Sequence, residues 1–259
     1  MVGLLLGLFT AFLKEDLRLS LLTIEETEAC MKLPVLGSIP HLAIAGERKG
    51  PLIIHQSNQS TAAESYRSLR TAMFQVSPES QQAKTWLVTS SGPKEGKSLT
   101  CANLAISIAW TGRRVLLVDS DLRRPSLDKL FSLERKPGLT DYLSGVATHE
   151  QIMRRGPAEL ANLSLVTSGR LMSNPAEMLN GDRLSSWLNQ LRLDFDLILF
   201  DAPPVLTVTD ASILGSKVEA TILIYQTGRT SRAALRRVKN QLQLAGAKIK
   251  GIVLNNVSS

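Results

Sequence analysis

Cysteine is nearly missing from this chain of 259 residues, which has only Cys30 and Cys101, far apart in sequence. Two such residues make no disulfide framework, and a reducing cytosol fits them. Histidine is as scarce. His41, His55 and His149 are scattered, with no Cys/His pair at zinc-ligand spacing, so a metal site built from protein ligands alone is not expected. Tyrosine occurs three times, at Tyr66, Tyr142 and Tyr225. No internal repeat and no low-complexity tract is apparent. A hydrophobic run long enough to cross a membrane is also lacking. The best candidate, Val2–Leu13, is apolar apart from Thr10 and stops at Lys14-Glu15-Asp16. As a helix it reaches only ~18 Å, against a ~30 Å hydrocarbon core. No lysine or arginine precedes it, which argues against a secretory signal. Three readings stay open: the cytosolic end of a transmembrane helix, a shallow membrane-associating helix, or a helix packed on another protein surface.

What is present is ordinary globular composition, 44% apolar and 20% charged, enough for one large α/β domain with appendages. The net charge of +7 suits acidic partners such as anionic lipid, polyphosphate or nucleic acid and chooses among none.

The most informative stretch is Ser91-Gly92-Pro93-Lys94-Glu95-Gly96-Lys97-Ser98. It follows the apolar Trp86-Leu87-Val88 and precedes a helical pattern from Leu99. This is the strand–loop–helix setting of a phosphate-binding P-loop. Permissive backbone lets the N–H groups of residues 92 and 94–99 point at phosphate oxygens, with Pro93 lining the loop, and the helix start adds free N–H groups and the positive dipole end. Lys97 is expected to reach the β- and γ-phosphates, and the Ser98 hydroxyl to hold Mg²⁺. Ser91 replaces the first glycine of the pattern, and an ordinary Gly-rich turn is the bland alternative.

Periodicity orders the rest. Thr23-Ile24-Glu25-Glu26 starts a helix ending near Lys32, and Val35–Pro40 is a short strand. Residues 41–59 lack a period and read as linker. Glu64–Phe74 is a helix. Strands are expected at 85–89, 114–119, 163–167, 197–200, 220–225 and 249–254, with helices from the P-loop to about 111, within 176–193, around 209–216 and at 231–245. Alternating strands and helices imply a mostly parallel, doubly wound α/β sheet of the P-loop NTPase type. Ligands then bind at the carboxyl ends of the strands. The expected division is a membrane-proximal helix at 1–20, a linker at 21–59 and a catalytic domain at 60–259.

Two apolar strands end in acids. Val118-Asp119-Ser120-Asp121-Leu122-Arg123 and Leu199-Phe200-Asp201-Ala202-Pro203-Pro204 place three carboxylates where burial is costly without a positive partner. Mg²⁺ with waters is one such partner. Capping of the next helix or turn is the alternative. Downstream of a P-loop, Asp119 and Asp201 are expected to serve Mg²⁺, directly or through water, with Ser98. Asp121 is expected to orient or deprotonate an acceptor hydroxyl, and Lys97 to neutralise phosphate charge.

Together, the P-loop headed by Ser91, the 118–123 motif and the 199–204 motif resemble those of the bacterial tyrosine kinase (BY-kinase) family. Its members form cytosolic domains of capsule and exopolysaccharide co-polymerases. The Asp-x-Asp-x-Arg segment is similar to that family's second Walker-type motif, and Asp-x-Pro-Pro to its Walker B. Glu64, Arg67 and Arg70 resemble its Glu-x-x-Arg-x-x-Arg helix, which the resemblance ties to ring-like self-association. A helix with i,i+3 ion pairs is the plain alternative. Leu33–Pro40 is similar to the segment joining the family's last transmembrane helix to its kinase domain, which favours the membrane reading of Val2–Leu13. The resemblance implies an ATP- and Mg²⁺-dependent autokinase at the cytosolic face of the bacterial inner membrane, acting in polysaccharide chain-length control with a transmembrane co-polymerase partner. Asn255, after the last strand, is placed like asparagines that contact adenine in related P-loop proteins.

Two departures stand out. The family usually has a tyrosine-rich tail, whereas residues 255–259 hold none; Tyr66 and Tyr142 are then the tyrosines that could be exposed, while Tyr225 falls in a core strand. Partitioning-type ATPases carry a lysine where Gly92 stands, with Lys94 two residues later, which argues against that branch and against a nucleic-acid partner. A regulatory ATPase switch that phosphorylates nothing remains the second reading, and a DNA-associated partitioning ATPase the third. Arg229, Arg232, Arg236, Arg237 and Lys239 crowd one expected helix without an acid between them. A solvated face, attraction to anionic membrane and non-specific nucleic-acid binding all stay open there.

Overall fold

A computed structural model describes residues 23–40, 52–53 and 60–257. The expected helix at 1–20 lies outside them. Eight strands form one sheet: β1 (Val35–Pro40), β2 (Thr85–Ser90), β3 (Val115–Asp119), β4 (Arg154–Arg155), β5 (Leu163–Val166), β6 (Leu197–Asp201), β7 (Ala220–Gln226) and β8 (Ile249–Val257). Their order is β1-β8-β7-β2-β6-β3-β5-β4, parallel except for the β4–β5 pair at one edge.

The central strands bury both faces, as near-continuous apolar runs must. Alternate residues go to opposite layers. Val115 and Leu117 of β3 pack into one core with Trp86 and Val88, while Leu116 and Val118 pack into the other with Phe200 and Leu87. One face is covered by α2 (Thr61–Gln75) and α4 (Lys97–Ala109). In α2, Ala62, Tyr66, Leu69 and Met73 recur at helical spacing and are buried, and Ser60 caps the start by accepting from the Ala63 N–H. The other face takes α9 (Asp182–Asp194), α10 (Asp210–Lys217) and α11 (Arg232–Leu244). The remaining short helices are α1 (Ile24–Met31), α3 (Pro78–Gln82), α5 (Leu127–Leu130), α6 (Leu139–Leu143), α7 (His149–Ile152) and α8 (Pro175–Asn180).

The boundary expected at residue 60 coincides with no break in the sheet. β1 lies within the expected linker, yet it pairs in parallel with β8 from Val35↔Ile252 to Pro40↔Val257. Leu52 and Ile53 are buried, and the Ile53 N–H donates to Asn103 Oδ1 at 2.7 Å, so this part of 41–59 also belongs to the packed body. Among the described residues no helix is long and apolar enough to cross a membrane.

Candidate nucleotide and phosphoryl-transfer site

β2, β3 and β6 are neighbours in the sheet, so the loops leaving their carboxyl ends converge. The P-loop leaves β2 and enters α4 through Gly96, whose φ of +85° is open to glycine and strained for other residues. A Cβ there would come within 2.0 Å of Asn255 Nδ2. That Asn255 amide donates to the Glu95 carbonyl at 2.8 Å, so β8's end grips the loop from the side. Glu95 is buried. Its carboxylate accepts from the Ser91 N–H at 3.0 Å and from the Thr230 hydroxyl, and desolvation raises its pKa. Sequence reasoning counted Glu95 among phosphate-cradle residues. That cradle is a backbone one, and the Glu95 side chain braces the loop against the turn after β7, where Arg229 also reaches the Lys94 carbonyl at 3.4 Å.

Lys97 opens α4 and turns inward. Its Nζ lies 2.9 Å from Asp121 Oδ2, 3.4 Å from Asp201 Oδ1 and 3.0 Å from Ser98 Oγ. Burial alone would lower the lysine pKa, but Asp201, Asp121 and Asp119 outweigh it and the net shift is upward. The sequence-predicted acids therefore meet at one ammonium. Asp119 and Asp201 end adjacent strands in direct register. Asp119 Oδ2 accepts from the N–H groups of Ser126 and Leu127 at 3.0 and 2.9 Å, so the capping alternative is realised, but with one oxygen only. Asp119 Oδ1 and Asp201 Oδ2 are buried without a hydrogen-bond partner among the described residues. Burial, then the neighbouring Asp201, pushes the Asp119 carboxyl up to about 8; burial likewise raises Asp201, against the pull of Lys97. Two orphaned carboxylate oxygens are costly as they stand. They are the donor type that a hard cation takes with phosphate and water oxygens, so the residues fit Mg²⁺. No cluster of three His, Cys, Asp or Glu side chains suited to a metal occurs among the described residues.

Supporting contacts hold the frame. Ser120 Oγ donates to the Asp201 carbonyl at 2.7 Å, and Asp121 Oδ1 accepts from the Arg124 N–H at 3.0 Å. Arg123 forms a two-point pair with buried Asp210 at 2.9 and 3.1 Å, tying the β3 loop to α10. Sequence reasoning missed Asp210; an acid in the first turn of an expected helix was the available signal.

The other singled-out residues lie apart. Glu64 and Arg67 pair with each other at 2.5 Å on α2. Arg70 Nη1 donates to the Ser107 carbonyl at 2.6 Å, clamping α2 to α4. Tyr66 is not exposed. It is buried against Asn103, and desolvation pushes its hydroxyl up to about 12. Tyr225 is buried as its strand requires, and Tyr142 is half-buried with its ring 5.2 Å from that of Trp187. Of the basic helix, Arg232 pairs with Glu26 at 3.6 Å and Lys239 donates to the Met31 carbonyl, so these two fasten α1. Arg236 and Arg237 remain exposed.

Comparison with known proteins agrees with this geometry. A ParA family model, described as NUBPL iron-transfer P-loop NTPase, matches residues 82–259. The tyrosine-protein kinase YwqD of Bacillus subtilis is 36% identical over 201 residues, covering 76% of this chain and 82% of that protein. The chain belongs to the bacterial tyrosine kinase family. The tyrosine-protein kinase ptk of Acinetobacter johnsonii is 33% identical across 99% of this chain, and the chain spans only about a third (36%) of that longer relative. Among structures, the kinase domain of Escherichia coli tyrosine kinase ETK superposes with a TM-score of 0.83 at 27% identity, covering 92% of this chain and 94% of that one. A more distant neighbour of this kinase-family chain is the septum site-determining protein MinD of Pyrococcus horikoshii, complexed with Mg-ADP. It gives a TM-score of 0.57 at 25% identity over 66% of this chain and 70% of that one. A P-loop NTPase fold of this family binds nucleotide.

Proposed function

We propose that this chain is the catalytic domain of an ATP- and Mg²⁺-dependent protein-tyrosine kinase of capsule or exopolysaccharide assembly. The observation that carries the reading is Asp121. Its buried carboxylate sits 2.9 Å from the P-loop lysine, yet outside the register pair of Asp119 and Asp201. That arrangement separates two tasks. The backbone of residues 92–99 and Lys97 would take the phosphates, with Asn255 beside the loop for the base. Ser98, Asp119 and Asp201 would hold Mg²⁺, which supplies charge neutralisation when bound. Asp121 is left free to orient an acceptor hydroxyl and take its proton.

The acceptor is on another polypeptide. Of the chain's three tyrosines, Tyr66 and Tyr225 are sealed in the core and Tyr142 is stacked on Trp187. In this reading the protein works in an assembly: a ring-like homo-oligomer formed through Glu64, Arg67 and Arg70, with a transmembrane co-polymerase at the cytosolic face of the inner membrane. Support comes from relatives named tyrosine-protein kinase, one of them "in cps region" of Klebsiella pneumoniae. The same tyrosine burial favours a second reading, an ATPase switch without a protein acceptor. Incubation with γ-labelled ATP and Mg²⁺, with and without a tyrosine-bearing partner, separates them. Phosphotyrosine on the partner is expected; free phosphate without any phosphotyrosine refutes the kinase.

A further inference from the structure

β5 ends beside β3: Val166 is in register with Val118, one residue before Asp119. The loop leaving β5 therefore emerges on the carboxyl edge that carries Lys97, Asp121 and Asp201, about one strand spacing (~4.8 Å) from the end of β3. Beyond this loop is a cavity of about 400 Å³, lined by Lys136, Asp141, Val146, Gln151 and Arg170 among others. No residue of the nucleotide site lines it.

The walls are fixed by hydrogen bonds. Leu139 and Thr140 N–H groups donate to the Thr167 and Ser168 carbonyls at 2.8 and 2.9 Å, and the Gly169 N–H donates to the Arg135 carbonyl at 3.1 Å. Gly169 has a φ of +82°, and a Cβ there would meet Thr140 Oγ1 at 2.5 Å and Asp141 Oδ2 at 2.6 Å, so only glycine lets the two loops close together. Asp141 is 2% exposed, accepts from the Gly138 N–H at 2.9 Å and holds Arg170 Nε at 2.9 Å. The Arg170 carbonyl accepts from Thr140 Oγ1 at 2.8 Å. Backbone and guanidinium are thus both anchored, while the Arg170 side chain stays 58% exposed and its Nη groups meet no acceptor among the described residues. Lys136, on the facing loop, is exposed. The one carboxylate lining the cavity is already paired, so the mouth is cationic.

We propose that this cavity docks an acidic side chain of the polypeptide that presents the acceptor tyrosine. A guanidinium fork held in place binds a carboxylate at two points and loses little entropy in doing so. The inference rests on the kinase reading for the tyrosine, but the docking itself is read without chemistry.

The test uses two fluorescent peptides, one with tyrosine flanked by glutamates and one with glutamines in their place, titrated onto the protein with ADP and Mg²⁺. The glutamate peptide is expected to bind roughly tenfold tighter, a difference of ~1.4 kcal/mol. Arg170→Gln should erase that preference and Lys136→Gln should reduce it, while Lys248→Gln, an exposed cation just before β8 in the other half of the sheet, should keep it. Since Arg170→Gln strips the partner from buried Asp141, Lys136→Gln decides the matter if that variant unfolds. Equal binding of the two peptides, or a preference that survives in both variants, overturns the proposal. So does inorganic phosphate that competes with both peptides equally, which marks a free-anion site. In a second series with ATP and Mg²⁺ in place of ADP, phosphotyrosine formation on both peptides without acidic preference fails this inference alone. Arg170-dependent binding without any phosphotyrosine fails the kinase reading alone.

Discussion

Asp119→Asn should change the pH dependence of stability in a direction fixed by burial. Burial, and then the neighbouring Asp201, push the Asp119 carboxyl up to about 8. In the unfolded chain an aspartate titrates near ~3.9. Between these values the native state holds a proton that the unfolded state has lost, so stability is fully present below pH ~4 and falls as pH rises towards 8. The slope is at most ~1.4 kcal/mol per pH unit for one proton, so from about pH 5.5 to pH 8 the loss is roughly 3 kcal/mol. Asparagine keeps the shape, and its amide oxygen can still accept from the Ser126 and Leu127 N–H groups that Asp119 Oδ2 now serves. It cannot ionise, so this part of the slope should vanish and the variant should be the more stable protein at pH 8. Urea unfolding at several pH values reads both curves. Parallel profiles for wild type and variant would refute the claim that a buried carboxyl at this position carries the proton.

Three further outcomes follow from the site. Asp121→Asn removes the 2.9 Å partner of Lys97 but leaves the Asp201 contact; phosphotransfer should drop by ~10²-fold or more while nucleotide affinity shifts only a few-fold, and equal turnover in a γ-labelled ATP assay would discard its acceptor role. Gly96→Ala puts a side chain at φ +85°, a strain of ~1–2 kcal/mol, and 2.0 Å from the Asn255 amide; nucleotide binding by calorimetry should weaken more than tenfold, and adding Asn255→Ala should recover the steric share of the lost thermal stability, so a double variant no more stable than the single one is the contrary result. Arg67→Ala with Arg70→Ala should reduce oligomer size in sedimentation; because Arg70 also clamps α2 to Ser107, thermal stability should fall as well, and an unchanged sedimentation profile counts against the interface.

The buried strands were legible because burial on both faces writes itself as an apolar run. Thr85–Ser90, Val115–Asp119, Leu197–Asp201 and Ala220–Gln226 all start and stop within about a residue of where those runs do. The site was legible for a related reason. An acid after such a run must face a compensating charge, and Asp119, Asp121 and Asp201 indeed surround Lys97. What escaped were features decided by distant partners or by very short elements. Val35–Pro40 reads as a strand, but its place in the sheet depends on β8, more than two hundred residues later. Leu127–Leu130, His149–Ile152 and Arg154–Arg155 are too short to show a period. Leu52 and Ile53 are two residues in an aperiodic stretch, and only the Asn103 contact reveals why they are buried. Tyr66 is different: it was expected among the tyrosines that could be exposed, although its helical stripe with Ala62, Leu69 and Met73, all buried, was there in the sequence to argue otherwise.

The charges explain how the empty and loaded forms of this site differ. Asp119, Asp121 and Asp201 surround a single buried ammonium, so full ionisation would leave a net charge near −2 in a region almost closed to water. That is untenable unless a proton or a cation joins it. Without a cation a proton fills the gap, because burial and then Asp201 push the Asp119 carboxyl up to about 8 and burial raises Asp201 as well. A divalent cation matches the missing charge, and the two orphaned oxygens, Asp119 Oδ1 and Asp201 Oδ2, are where it would find carboxylate. Proton and Mg²⁺ then compete for one place. Binding of Mg²⁺ with nucleotide should release a proton near neutral pH and tighten as pH rises towards 8, the range in which the unliganded fold loses stability. The same carboxylates that weaken the unliganded protein are therefore what gives it its demand for the metal–nucleotide complex. Isothermal titration in buffers of different ionisation enthalpy measures that proton directly, and heats independent of buffer would show that the site binds without giving one up.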